Sequence, residues 1–118
     1  MSDGTLKILG LVGLAVVMLY FLFGRGGSTL TGPDARKLVA EGAILVDVRT
    51  TDEFRSGHIE GAVNIPLSQL EKRLKEFGAK EKPVVLYCAS GARSSSAAGI
   101  LKKNGWQQVQ NLGAMSRW

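Results

Sequence analysis

Two runs of apolar, mostly branched residues constrain the fold of this 118-residue chain more than any other feature: AILVDV at 43–48 and PVVLYC at 83–88. Neither alternates apolar with polar residues, so neither can keep one face in water. Short continuous runs of this kind suit central strands of a parallel sheet, buried on both sides. Parallel neighbours need a crossover between them, usually helical, and the rest of the chain carries helix signals. Pro33 and Asp34 read as the first turn of a helix that Gly42 stops. Thr51 can cap a short helix over 52–56, ended by Gly57. Leu67, Leu70, Leu74 and Phe77 fall at helical spacing after a Ser68 cap, with Gly78 as the stop. A helix over about 94–104 follows the second run. Short strands are expected at 62–65 and 109–112. Strand and helix patterns alternate, which implies an α/β domain: a small, mostly parallel sheet flanked by helices, with right-handed crossovers.

Ahead of this domain, every residue over 8–23 is apolar or glycine (ILGLVGLAVVMLYFLF), bracketed by Lys7 and Arg25. As a helix extended to Gly24, the run is roughly 25 Å long against a hydrocarbon core of roughly 30 Å. Lys7 and Arg25 can snorkel outward and close that gap. A cleaved signal peptide fits less well, because the run exceeds a usual secretory core and GRGGSTL offers no A-x-A-like cleavage site. A buried core helix is disfavoured because the remaining chain makes a complete small domain. We read 6–24 as a single-pass transmembrane anchor, 25–32 as a flexible linker and 33–118 as the folded domain. Arg25, Arg36 and Lys37 outweigh Lys7 beside Asp3, so the positive-inside bias places that domain in the cytoplasm.

Composition removes several classes of function. One cysteine, Cys88, excludes an intrachain disulfide framework, and one histidine, His58, leaves no material for a multi-histidine metal centre. No metal and no cofactor are expected. The net charge of +5 comes with Lys72, Arg73, Lys75, Lys80, Lys82, Lys102 and Lys103. These read as a solvated surface, or as a face toward anionic lipid headgroups. Nucleic-acid binding would need aromatic residues among them, and few are available.

Ligands of open α/β sheets bind beyond the carboxyl ends of the strands. Asp47 and Arg49 follow the first apolar run, and Cys88 ends the second. From Cys88 the chain passes through Ala89, Ser90, Gly91, Ala92 and Arg93 into a helix start. A helix amino terminus has free N–H groups and a partial positive charge, and successive loop amides can form an anion-binding nest. Gly91 frees the backbone, and Arg93 adds a permanent cation. A thiol placed there should ionise more readily than free cysteine. The bland alternative is an inert, buried cysteine, the commonest fate of a lone one.

These residues resemble a known family. LVDVR (45–49), EF (53–54) and GHIEGAVNIP (57–66) look like the rhodanese domain, VLYC (85–88) with Gly91, Arg93 and Ser94 looks like its active-site loop, and NLGAMSRW (111–118) is similar to its closing segment. The resemblance implies transfer of sulfane sulfur. A donor such as thiosulfate would leave a sulfur on Cys88 as a persulfide, and a thiol or cyanide acceptor would remove it. The amides of Ala89, Ser90, Gly91, Ala92 and Arg93 would hold the anionic sulfur, while Arg93 orients the loop or attracts the donor. Asp47 is then a structural acid holding loop backbone, Arg49 and Glu53 an ion pair at the rim, and His58 a packing residue. A non-catalytic sulfur carrier, handing a persulfide to a protein acceptor, is the alternative. A phosphatase or arsenate-reducing enzyme is a third: phosphatases of this fold use Cys-x5-Arg, whereas Cys88 and Arg93 are spaced Cys-x4-Arg, a tighter loop suited to one sulfur atom. Two departures stand out. Ala89 replaces the basic residue many members carry, and the chain ends at Trp118 where the family usually continues.

Overall fold

The two apolar runs form the centre of a four-stranded sheet in which every pair is parallel. β1 (Ile44–Asp47) and β3 (Val84–Cys88) lie side by side, with β2 (Val63–Asn64) outside β1 and β4 (Val109–Ala114) outside β3. The computed structural model describes residues 29–118. Around the sheet run α1 (Gly32–Ala40), α2 (Thr51–Ser56) and α3 (Ala92–Lys103), with short 3-10 segments at Leu67–Lys72, Leu74–Phe77 and Met115–Arg117.

Because side chains alternate along a strand, an all-apolar strand feeds two cores at once. Val84, Leu86 and Cys88 point to one side, where they pack with Val46, Leu70, Phe77, Leu101 and Trp106. Val85 and Tyr87 point to the other, with Leu45, Ala35, Ile59 and Leu112. All five residues of β3 are buried, as expected of a strand covered on both faces. Each large side chain so withdrawn contributes roughly 1.5–3 kcal/mol through the hydrophobic effect. The catalytic candidate therefore ends the most buried strand of the sheet.

The structure departs from the sequence expectations in four places. The segment after Pro66 is not one α-helix but two 3-10 segments broken at Arg73, whose φ of −119° and ψ of 25° leave the helical region. Steps of three from Leu67 to Leu70 and from Leu74 to Phe77 fit three residues per turn, and the step of four falls on the break. Ser68 does not cap this segment; Pro66 occupies the cap position with no side-chain bond. Thr50, rather than Thr51, caps α2, in a reciprocal box with Glu53. Of the linker expected over 25–32, residues 25–28 lie outside the described residues, while Leu30 already donates its N–H to the Asn111 carbonyl at 2.8 Å and Thr31 caps α1.

The anchor expected at 6–24 also lies outside the described residues. Among those described, no helix is long and apolar enough to cross a membrane.

Candidate active site

The end of β3 and the start of α3 are joined by a tight turn over residues 89–91. Gly91 stands at the amino cap of α3 with φ of 102°, in the left-handed region that side-chain-bearing residues avoid. Glycine has no side chain to satisfy the open amides of the first helical turn. The Cys88 sulfur takes that place. Sγ accepts the Gly91 N–H at 3.0 Å and the Ser94 N–H at 3.4 Å, and Ser94 is the third residue into the helix, where a capping acceptor normally bonds. The Ser94 hydroxyl lies 3.4 Å from Sγ and donates to the Gly91 carbonyl at 3.1 Å.

Two opposed effects act on the thiol. Burial pushes its pKa up, since Cys88 is 0% exposed. The Ser94 hydroxyl and the amides of Ser94, Gly91 and Ser90 pull it down, and the net shift is downward from the ordinary value. Burial alone would describe the inert cysteine of the bland reading. Convergent amides on the sulfur separate this site from that case. Ala89 and Ser90, next along the loop, are exposed and small.

Ser94, which the resemblance places in the active-site loop with no contact to the sulfur, does contact it in the structure. Its signal is positional: six residues after the cysteine, it occupies the helix turn whose amide a strand-end acceptor reaches. When the thiol ionises, the Ser94 hydroxyl, 3.4 Å from Sγ, can turn its proton from the Gly91 carbonyl to the sulfur, and Ser94→Ala removes that hydrogen bond to a charged acceptor. The expected outcome is about a tenfold slower alkylation of Cys88 at neutral pH, with the rate profile displaced to higher pH, followed with iodoacetamide. An unmoved profile would mean that the hydroxyl does not contact the thiolate.

Arg93 directs its hydrogen bonds to Glu53 rather than to the sulfur. Its two terminal nitrogens grip Glu53 at 2.7 and 2.9 Å, tying the first turn of α3 to α2. The guanidinium and the Thr50 amide hold the Glu53 carboxyl down to about 2. A depressed carboxyl stabilises the fold above its unfolded pKa of about 4.3, and that contribution fades as pH falls through the folded value. A carbon-detected NMR titration should therefore place the Glu53 midpoint near 2. Arg93→Gln should return it toward the ordinary range of about 4.3.

The expected Arg49–Glu53 pair is thus absent. Arg49 turns instead to Asp47, with Nη2 2.6 Å from one carboxylate oxygen, and its backbone N–H meets the other at 2.8 Å. The guanidinium also donates to the Gly57 carbonyl at 2.7 Å and lies 5.8 Å from the Tyr87 ring centre. Asp47 sits two residues from Arg49 on the same strand face, so the carboxylate lies within direct reach of the guanidinium. That face is Tyr87's, opposite the one Cys88 uses. Burial pushes the Tyr87 hydroxyl up to about 12, and its oxygen accepts the Ile59 N–H at 3.1 Å. Asp47 and Arg49 accordingly brace the strand end behind the site without touching the sulfur. His58 is exposed, stacks on Phe54 with ring centres 3.7 Å apart, and bonds the Phe54 carbonyl through Nδ1 at 2.8 Å.

Comparison with known proteins agrees with this architecture. The family model described as the rhodanese-like domain matches residues 31–118. The Bacillus subtilis protein YqhL is 51% identical over 77 residues, covering 64% of this chain and 60% of its own length. The human thiosulfate:glutathione sulfurtransferase is 35% identical over 108 residues, covering 79% of this chain and 94% of its own. The solved structure of the human single-domain sulfurtransferase TSTD1 superposes with a TM-score of 0.65 at 31% identity, over 79% of this chain and 93% of that one. With the match spanning most of the described fold, the chain belongs to the rhodanese-like domain family.

Proposed function

We propose that this protein is a sulfurtransferase that carries sulfane sulfur on Cys88. The observation that carries the reading is the convergence of the Gly91 and Ser94 amides on Sγ. In the first half-reaction the Cys88 thiolate attacks the outer sulfur of a donor such as thiosulfate. A new S–S bond forms, the S–SO3 bond breaks, and sulfite leaves with the electron pair. In the second, a thiolate or cyanide attacks the outer sulfur of the persulfide and the electron pair returns to Sγ. The amides stabilise the anion in both states, as an oxyanion hole does. Because Cys88 is fully buried, reaction requires the loop to open enough for the donor's outer sulfur to reach Sγ. The human relative's name supports a thiol as acceptor.

The anchor reading belongs to the same proposal. The apolar run at 8–23 would hold the domain at a membrane, on the cytoplasmic side by the charge bias.

Phosphate chemistry is the weaker reading, because the guanidinium that would grip a phosphate is already held by Glu53. The test is a paired assay on the full chain. Thiosulfate plus cyanide should yield thiocyanate with turnover, and an aryl phosphate should release no phosphate. Phosphate release without thiocyanate would reverse the assignment. A persulfide that forms on Cys88 but passes only to a protein thiol would make the chain a carrier.

A further inference from the structure

The first described residues enter the fold beside the Cys88 loop. Cys88 pairs with Ala114 and Tyr87 with Gly113 across β3 and β4. A Cβ on Gly91 would stand 3.5 Å from Gly113 Cα, and one on Gly113 would stand 3.3 Å from Thr29 Cγ2. Leu30 continues the contact by bonding Asn111. Thr29 therefore lies about two strand spacings, or roughly 10 Å, from the end of β3. Arg117, which donates to the Leu112 and Leu30 carbonyls, places a positive charge at the same corner.

Six peptide steps separate Thr29 from Phe23, the last residue of the apolar run. Fully extended they span at most about 21 Å. If the run is anchored in a bilayer, as proposed above, the Cys88 loop stays within about 30 Å of the end of the run, whatever path the chain takes. Attachment at the opposite pole, where β3 and β4 begin, would add the length of the sheet to that distance, whereas attachment at the loop's own corner keeps the loop within reach of the lipid surface. A tether this short does little for a freely diffusing donor. It raises the effective concentration of a partner held in the same surface layer.

We propose that the Cys88 loop works at the bilayer surface and exchanges sulfur with a thiol anchored in the same membrane. This rests on the anchor and persulfide readings. The exchange balances without an added oxidant or reductant: the anchored thiolate forms a bond to the outer sulfur of the Cys88 persulfide, the Sγ–S bond breaks, and its electron pair stays on Sγ.

The test uses the full chain in phosphatidylcholine vesicles, loaded with thiosulfate and freed of excess donor. The acceptor is phosphatidylethanolamine carrying a mercaptopropionyl headgroup, compared with soluble mercaptopropionamide at equal bulk concentration. Loss of about 32 Da, one sulfur, from the intact chain is the readout. The lipid thiol should discharge Cys88 at least tenfold faster, and inserting forty Gly/Ser residues after Gly27 should cut that advantage at least fivefold. Equal rates for the two thiols, or an advantage unchanged by the insert, would overturn the proposal. Release of the chain from vesicles by alkaline carbonate would overturn it together with the anchor. A missing mass gain on loading would overturn it together with the persulfide, so the three failures are distinguishable.

Discussion

Replacing Cys88 by serine is expected to drop sulfur transfer to the uncatalysed background, a loss on the order of ten-thousand-fold or more, the scale seen when a nucleophile is removed. The alcohol is far less acidic than a thiol and forms no persulfide. The fold should survive, because a serine oxygen is a good acceptor for first-turn amides and can keep the bonds that Sγ makes to Gly91 and Ser94. Turnover and thermal melting, measured on one preparation, separate the two effects. Substantial transfer by Cys88→Ser would locate the chemistry elsewhere.

Asp47→Ala should produce the largest loss of stability. The Asp47 carboxylate is 0% exposed and meets an Arg49 side chain that is 7% exposed, at 2.6 Å. Removing one partner of a buried pair strands the other charge, at a cost of about 3–5 kcal/mol. A domain of this size has roughly 5–15 kcal/mol in total, so the melting temperature should fall by about 12 °C or more. The Gly57 carbonyl and the Tyr87 ring would be left to hold the guanidinium. Asp47→Asn keeps an acceptor for the Arg49 amide and should lose less. An unchanged melting temperature in Asp47→Ala would show that Arg49 finds water without disturbing the strand end.

What could be read from the sequence followed how locally each feature is determined. The central strands were legible because their apolar runs admit no half-exposed alternative, and Cys88 was legible because it ends one of them. The 67–77 segment was not, since steps of three, four and three fit an α-helix and a broken 3-10 path equally well. The ion pairs were misassigned for a different reason. Asp47, Arg49 and Glu53 crowd into seven residues, and strand alternation turns Arg49 to Asp47 while α2 carries Glu53 to Arg93. Ser94 was legible as part of the loop but its bond to the sulfur was not, because that depends on where the helix turn meets the strand end, a tertiary fact. Thr50 and Thr51 are equivalent caps by type, and only the reciprocal bond with Glu53 chooses between them.

The account stands on a sulfur anion held by main-chain amides at Cys88. Intact-mass and peptide spectrometry of the chain after thiosulfate treatment addresses it directly. The expected result is a gain of about 32 Da, a persulfide sulfur, on the peptide containing Cys88, reversed by cyanide. An unmodified Cys88 under conditions where the protein is folded would contradict it.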